Sequence, residues 1–249
     1  MLIAIGKKML EWPMFREFRR AININQEITD EFIMKTARSE IKPGSRILDA
    51  GAGTVRYKEH FSDCEYLTQD FMSYEDPEGE FRYGNIDYVS DIVDIPVEDQ
   101  SFDAVICTEV LEHIPRPDLA IREFSRILNP GGKLYVTAPL GSAVHQYPHH
   151  YYGGFSPSWY TLFLQKCGFT DIDIAPKKGF FALYASQTTR ACLFILRSRK
   201  LTHRFLAPFA LFAIAVLPVF LFRLDKHGSA IVDPSTEFTI GYMVRATKV

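Results

Sequence analysis

The sequence predicts an α/β protein built on a doubly wound, mostly parallel sheet, and three observations predict it. Short apolar runs of strand length alternate with amphipathic stretches of helical period, as in successive β–α units. The first such run, "SRILDAG" (45–51), ends on glycine and continues into a second glycine. A buried strand that turns on glycine often leads into a nucleotide site. The 249 residues are 47% apolar and 23% charged, sufficient for one large domain with an elaboration.

The elements follow in order. Residues 1 to about 40 read as helices, with charges interleaved among Leu10, Phe15, Phe18, Ile22, Ile28, Phe32 and Ile33. After the first strand come "EYLTQD" (65–70) and "IDYVSD" (86–91) as strands two and three. Between them "FMSYEDPEGEFRYGN" is rich in turn residues and has no helical period. "FDAVICTEV" (102–110) is the fourth strand. "DLAIREFSRILNPGG" (118–132) is an amphipathic helix closed by Pro and Gly. "KLYVTAPL" (133–140) is the fifth strand, and "SPSWYTLFLQKCGF" (156–169) a further helix ending at Gly168. "TDIDIAP" (170–176) and "EFTIGYMVRATK" (237–248) are the last two strands. In such a sheet ligands bind beyond the carboxyl ends of the strands, so the residues just after each strand matter most.

Composition excludes some classes. The net charge is -2, with no basic stripe for a phosphate backbone, so no nucleic-acid partner is expected. Cys64, Cys107, Cys167 and Cys192 form no C-x-x-C pair, which argues against a zinc ribbon or a disulfide framework and fits a reducing cytoplasm. The first 18 residues carry too many charges and too short an apolar run for a signal peptide.

The glycine loop narrows the choice of nucleotide. A dinucleotide fingerprint needs G-x-G-x-x-G; Gly51 and Gly53 match, but Arg56 takes the third position. There is no Tyr-x-x-x-Lys pair for a short-chain dehydrogenase, and no Gly-Lys-Ser/Thr for a P-loop. What remains is an acid, Asp49, before a short loop, and a second acid, Asp70, at the end of strand two. Asp70 is suitably placed to accept from both ribose hydroxyls of an adenosine that carries no pyrophosphate.

"ILDAGAGT" resembles the first motif of class I S-adenosylmethionine-dependent methyltransferases. "SDIVDIPVEDQSFDAVICTEVLEHIPRPDLAIREFSRILNPGGKLYVTAPLG" (90–141) resembles the small-molecule, type 11-like branch of that family almost throughout. The resemblance covers about residues 40 to 175 and the last strand. It implies a Rossmann-like seven-stranded sheet with an antiparallel last strand, in a cofactor-binding methyltransferase domain over 41–179 and 229–249 that follows the helical cap read over 1–40. It also implies S-adenosyl-L-methionine as cofactor. Asp49, Ala50, Gly51 and Gly53 would border its methionine part and ribose, with Asp49 ordering the loop. Asp70 would take the ribose hydroxyls and Phe71 would flank the adenine. Asp91 would accept from the adenine amine, Ile92 would pack on the ring, and Thr108 would lie near the sulfonium. Many members have a further glycine about where Val55 stands, so the loop exit toward Arg56 is expected to differ.

A methyl-transfer enzyme needs an acceptor site beside the methyl group, and a base when the acceptor arrives as a hydroxyl. The loop after strand five, "GSAVHQYPHHYYGGFSPSWY" (141–160), leaves the sheet at the ligand end. His145, His149 and His150 are its candidate bases, since histidine titrates near neutral pH. Tyr147, Tyr151 and Tyr152 are candidate pocket walls. "EVLEH" offers Glu109, Glu112 and His113 at i, i+3 and i+4, one face of a helix and a donor set for a divalent ion. Ubiquinone-pathway O-methyltransferases have a similar run. The Glu-His pair also occurs widely in relatives with no metal role, and no metal is assigned.

Residues 205–222, "FLAPFALFAIAVLPVFLF", carry no charge and lie between Arg197, Arg199, Lys200 and Arg204 on one side and Arg223 and Lys226 on the other. A single membrane crossing would strand the last β-strand on the wrong side, and Pro208 and Pro218 are expected to break helical bonding near both ends. Residues 180–228 therefore read as a mostly helical insertion. It would serve as a lid, a dimer surface, a buried core helix, or a segment in peripheral contact with the membrane. The reading is a cytoplasmic methyltransferase acting on a small-molecule acceptor, at oxygen first, with carbon or nitrogen as the enzymatic alternative. A lipid-linked or otherwise apolar acceptor would suit the insertion. A non-catalytic adenosine-binding or membrane-associated module is the alternative from another class. The sequence names neither the acceptor nor an oligomeric state.

Overall fold

The computed structural model describes residues 23–74, 79, 81–198, 200–227 and 238–249; the expected helical positions Leu10, Phe15, Phe18 and Ile22 lie outside them. Helix α1 (Ile24–Phe32) runs into a π-helical turn (Ile33–Ala37) and a last helical turn (Arg38–Glu40). The sheet strands are β1 (Arg46–Ala50), β2 (Glu65–Asp70), β3 (Tyr88–Val89), β4 (Phe102–Thr108), β5 (Leu128–Pro139), β6 (Phe169–Pro176) and β7 (Gly241–Lys248). Helices α2 (Pro117–Ile127), α3 (Pro157–Lys166), α4 (Phe180–Arg197) and α5 (Leu201–His227) complete the order.

The seven strands lie in the order β3-β2-β1-β4-β5-β7-β6. β1 pairs in parallel with both β2 and β4, which puts the switch point at β1. β4 and β5 are parallel, whereas β7 is antiparallel to β5, with Lys133 opposite Thr247 and Pro139 opposite Gly241. This is the expected sheet. β1, β4 and β5 read as near-continuous apolar runs because both of their faces are covered. α2 shows the complementary pattern, with Ala120, Ile121, Phe124 and Ile127 buried along one stripe. Each large side chain so buried contributes about 1.5–3 kcal/mol.

Two boundaries differ from the sequence reading. The sequence pattern closes a helix on "LNPGG", whereas in the structure β5 already begins at Leu128. The pairing jumps from Phe102↔Leu128 to Ala104↔Lys133, so Asn129–Gly132 are absorbed as an irregularity in the ladder. Gly132 allows it, because a Cβ there would lie 2.8 Å from the Asn129 carbonyl oxygen. The apolar stretch 205–222 lies within one continuous helix, α5, that runs through Pro208 and Pro218 rather than breaking at them.

The described residues form two compact units, one within Thr29–Ala175 and Gly241–Val249, the other comprising residues 23–28 and the described part of Pro176–Ile240. The first holds the sheet and two apolar clusters. One cluster gathers Leu48, Val105, Phe124, Leu134, Val136 and Tyr160; the other gathers Ile33, Ile47, Phe61, Tyr66, Ile106 and Tyr135. In the second unit α4 and α5 form an antiparallel hairpin. Asp225 near the end of α5 accepts from the backbone N–H groups of Gly179 (3.2 Å) and Ala182 (3.2 Å), capping the start of α4.

Candidate active site

The loops that follow β1, β2, β4 and β5 all leave the sheet at its carboxyl edge, since these strands are mutually parallel. After β1 the chain turns at Gly51, whose φ is +74°. A Cβ at Gly51 would lie 2.4 Å from Val110 Cγ2, so no larger residue fits against the loop after β4. The Gly51 and Ala52 N–H groups both donate to the Gln69 carbonyl, at 2.8 and 3.0 Å, and so anchor the turn to the end of β2.

Asp70 closes that anchor. Its carboxylate accepts from Gly53 N (2.9 Å) and from Met72 N (2.9 Å). Two backbone donors hold the group in one orientation while each oxygen keeps a further lone pair. Phe71, next in the chain, is exposed. Asp91 is exposed on the loop after β3 and accepts from Val93 N at 3.2 Å; Ile92 is buried in the main core cluster. Ala50 is buried at the end of β1. Asp49, before it, is buried against the Tyr66 hydroxyl, which donates to it at 2.8 Å. Burial pushes its carboxyl up to about 7, the Tyr66 hydrogen bond opposes the rise, and the negative charge of Asp70 adds to it.

The segment between β2 and β3, read from sequence only as turns, carries an aromatic cluster. Phe81 lies between Tyr74 and Tyr83, with ring centroids 5.7 and 5.0 Å away. Its edge lies 3.5 Å from where a Gly53 Cβ would sit, and Gly84 N donates to the Gly53 carbonyl at 2.8 Å. Arg56, the departure from the dinucleotide fingerprint, forms a bidentate pair with Asp30 at 2.8 and 2.5 Å. Tyr57 donates to the same Asp30 (3.1 Å) and is hydrogen-bonded to Thr108 at the end of β4. The loop exit is thus tied to the helix before β1. No sequence periodicity signals an Asp–Arg pair 26 residues apart.

The acceptor side is built by two loops. After β4, Glu109 takes a left-handed backbone conformation (φ +55°) and accepts from the Thr137 hydroxyl at 2.8 Å. A single 3-10 turn, Leu111–His113, follows. Glu109 therefore does not share a helix face with Glu112 and His113, contrary to the spacing argument. The loop after β5 returns onto this turn: Tyr151 N and Tyr152 N donate to the Glu112 carbonyl, and the Tyr152 hydroxyl to the Pro115 carbonyl at 3.0 Å. Tyr147 and Tyr151 are left exposed.

This docking gathers three imidazoles. The rings of His113 and His145 lie 4.7 Å apart, those of His145 and His150 4.7 Å, and those of His113 and His150 5.7 Å. Each ring has one nitrogen at a backbone carbonyl: His113 Nδ1 at His149 O, His145 Nδ1 at Ala143 O (2.9 Å), His150 Nε2 at Tyr152 O (3.1 Å). A carbonyl accepts only from N–H, so that nitrogen carries the proton and the other keeps its lone pair. His149 stands apart; its ring faces Ser73 at 3.5 Å. Of the three expected bases the structure groups two, and adds His113. Burial, with the neighbouring histidines, lowers His113 to about 4 despite its bond to the His149 carbonyl. His150 is lowered too, by burial first and His145 second. Glu112 is buried, with Oε1 3.8 Å from His113 Nε2. Ligand atoms of Glu112, His113 and His145 lie within 4.8 Å of one another, a set able to hold a divalent ion.

Residues 48–136 match the family model described as a methyltransferase domain. The chain is 32% identical over 127 residues to a demethylmenaquinone methyltransferase of Renibacterium salmoninarum, covering 50% of each chain. It is 34% identical over 102 residues to a ubiquinone biosynthesis O-methyltransferase of Xanthomonas oryzae pv. oryzae, covering 38% of this chain and 43% of the relative. It thus spans about half the length of these curated relatives, or less. The fold resembles that of the [4+2]-cyclase SpnF, with a TM-score of 0.52 at 19% identity over 89% of this chain and 80% of that one.

Proposed function

We propose that the chain is a class I S-adenosylmethionine-dependent methyltransferase that methylates a small-molecule hydroxyl, with His145 as the proton acceptor; the match of residues 48–136 to the methyltransferase domain model supports this. The observation that carries the reading is the cluster of His113, His145 and His150 beside the glycine loop's edge of the sheet. The name of the ubiquinone-pathway relative supports oxygen as the acceptor atom and a quinone precursor as the acceptor class.

The residues present fit the cofactor. Asp70, fixed by two backbone donors, keeps lone pairs for a diol, and Phe71 offers an exposed ring beside it. Gly51 and Gly53 keep the loop bare, Asp49 and Ala50 support it from β1, and Asp91, Ile92 and Thr108 line the neighbouring strand ends. Bound S-adenosyl-L-methionine supplies an activated methyl group. The chain's own contribution is positioning, which can lower a barrier by about 7–11 kcal/mol, and removal of the acceptor proton. His145 suits proton removal, because it is exposed, its Nδ1 faces the Ala143 carbonyl, and Nε2 retains the lone pair. His113, held near 4, stays neutral and does not compete for the proton. The domain reading is a helical cap over 1–40, the cofactor domain over 41–179 and 229–249, and an insertion over 180–228. Four free cysteines support a cytoplasmic setting.

A second reading rests on Glu112, His113 and His145 as donors to a divalent ion that would lower the acceptor's pKa. The test is calorimetry followed by methyl transfer to hydroxylated quinone precursors. Asp70→Ala should weaken cofactor binding at least tenfold. His145→Asn should bind cofactor as wild type does and lose roughly 10²–10⁴ in kcat. Binding without turnover on any acceptor would favour a non-catalytic module. Loss of activity with a chelator, restored by one divalent ion, would favour the metal reading.

A further inference from the structure

We infer that the α4–α5 hairpin is a membrane-surface anchor that lies in the plane of an anionic bilayer, with α5 in the acyl boundary and α4 toward water. Three observations carry this.

The first is the packing of the hairpin. α4 buries small side chains at helical spacing: Ala182, Ala185, Ser186, Thr189 and Cys192. α5 buries a four-spaced stripe that includes Ala210, Ile214 and Phe222. Cys192, Ala210 and Ile214 form the seam between the two helices. The large side chains point the other way. Phe205 and Phe209 are each 73% exposed and Phe212 70%, with Leu206, Leu211, Val216, Leu217 and Phe220 also exposed. Small residues inside and aromatic residues outside is the inverse of a water-soluble helical pair. The apolar surface wraps much of α5, wider than the single stripe a partner helix covers.

The second is charge. Residues 174–224 contain no Asp or Glu, against eight basic residues: Lys177, Lys178, Arg190, Arg197, Arg199, Lys200, Arg204 and Arg223. The chain as a whole has a net charge of -2, so this is a local asymmetry. Arg197, Lys200 and Arg204 flank the turn between the helices, and Arg204 and Arg223 bracket the apolar stretch of α5. Basic residues at the rim of an apolar face match anionic headgroups. Two copies of the same surface would repel each other.

The third is topology. Thr202–Asp225 is long and apolar enough to cross a bilayer. However, β7 pairs with β5 in the sheet that precedes the hairpin, so the chain returns to the side it left. A double crossing would need α4 to span as well, and α4 exposes Gln187 and Arg190 at mid-helix. An in-plane hairpin leaves those groups in water.

The test is sedimentation of the full chain with vesicles of phosphatidylcholine alone or mixed with phosphatidylglycerol, over a salt series. The expected result is at least tenfold tighter binding to the anionic vesicles, weakened but not abolished by salt, and release by alkaline carbonate. Phe209→Glu with Phe212→Glu should lower binding at least tenfold, with unchanged circular dichroism and cofactor binding. Arg197→Glu with Lys200→Glu and Arg204→Glu should remove the preference for anionic lipid. No binding above that to neutral vesicles overturns the proposal, as does a dimer that Phe209→Glu dissociates. Resistance to carbonate would overturn the in-plane placement. The wild-type salt series decides the matter if a variant does not fold.

Discussion

Two titratable residues at the carboxyl edge of the sheet, half-buried His113 and buried Asp49, oppose each other in pH. His113 is lowered to about 4. Between about pH 6.5 and 4 the unfolded chain takes a proton that folded His113 refuses, so its contribution to stability falls as pH falls through that window. Asp49 is raised from 3.8 to about 7. From about pH 4 to 7 its folded form holds a proton that the unfolded chain has lost, so its contribution falls as pH rises. A titration of the wild type alone would show partial cancellation. Thermal melts against pH should separate them: His113→Asn removes the acid-side loss, on the order of 2–3 kcal/mol, and Asp49→Asn removes the loss toward neutral pH. Curves parallel to wild type for both variants would show that neither group is perturbed. Histidines at 113, 145 and 150 are visible in the sequence, but their convergence is not, because it depends on where the loop after β5 docks.

At the scale of elements, one ion-pair network positions the segment after β3. Arg126 near the end of α2 donates to Glu123 (2.9 and 2.6 Å), to Asp99 (2.8 Å) and to the carbonyls of Val97 (2.8 Å) and Ile95 (3.0 Å). Glu123 is buried and also accepts from Ile95 N at 2.8 Å. These bonds clamp residues 95–99 to α2, just downstream of Asp91 and Ile92. Arg126→Met leaves a buried carboxylate without its cation and should cost about 3–5 kcal/mol in urea denaturation. Adding Glu123→Gln should recover part of that; a double variant no more stable than the single would show the charge is not the cause. The amphipathic period of α2 is legible in sequence. The use of Glu123 as a buried clamp is not, since a Glu three residues before an Arg reads equally as a solvated surface pair.

The whole molecule depends on a strand that arrives last. β7 lies between β5 and β6, so residues 241–248 complete the sheet only after the hairpin has been made. Removing residues 238–249 should expose the edges of β5 and β6 and abolish cooperative unfolding, as read by circular dichroism and solubility. A truncated chain that melts cooperatively at the wild-type temperature would show that β7 is dispensable. The sequence by itself determined the alternation of strands and helices and the glycine turn after the first strand, because apolar period, glycine at the first turn and acids at strand ends are local signals. Only the tertiary structure decided which histidines meet, how Arg56 is used, and that Pro208 and Pro218 lie within one unbroken helix. Those outcomes turn on long-range contacts, which leave no period in the chain.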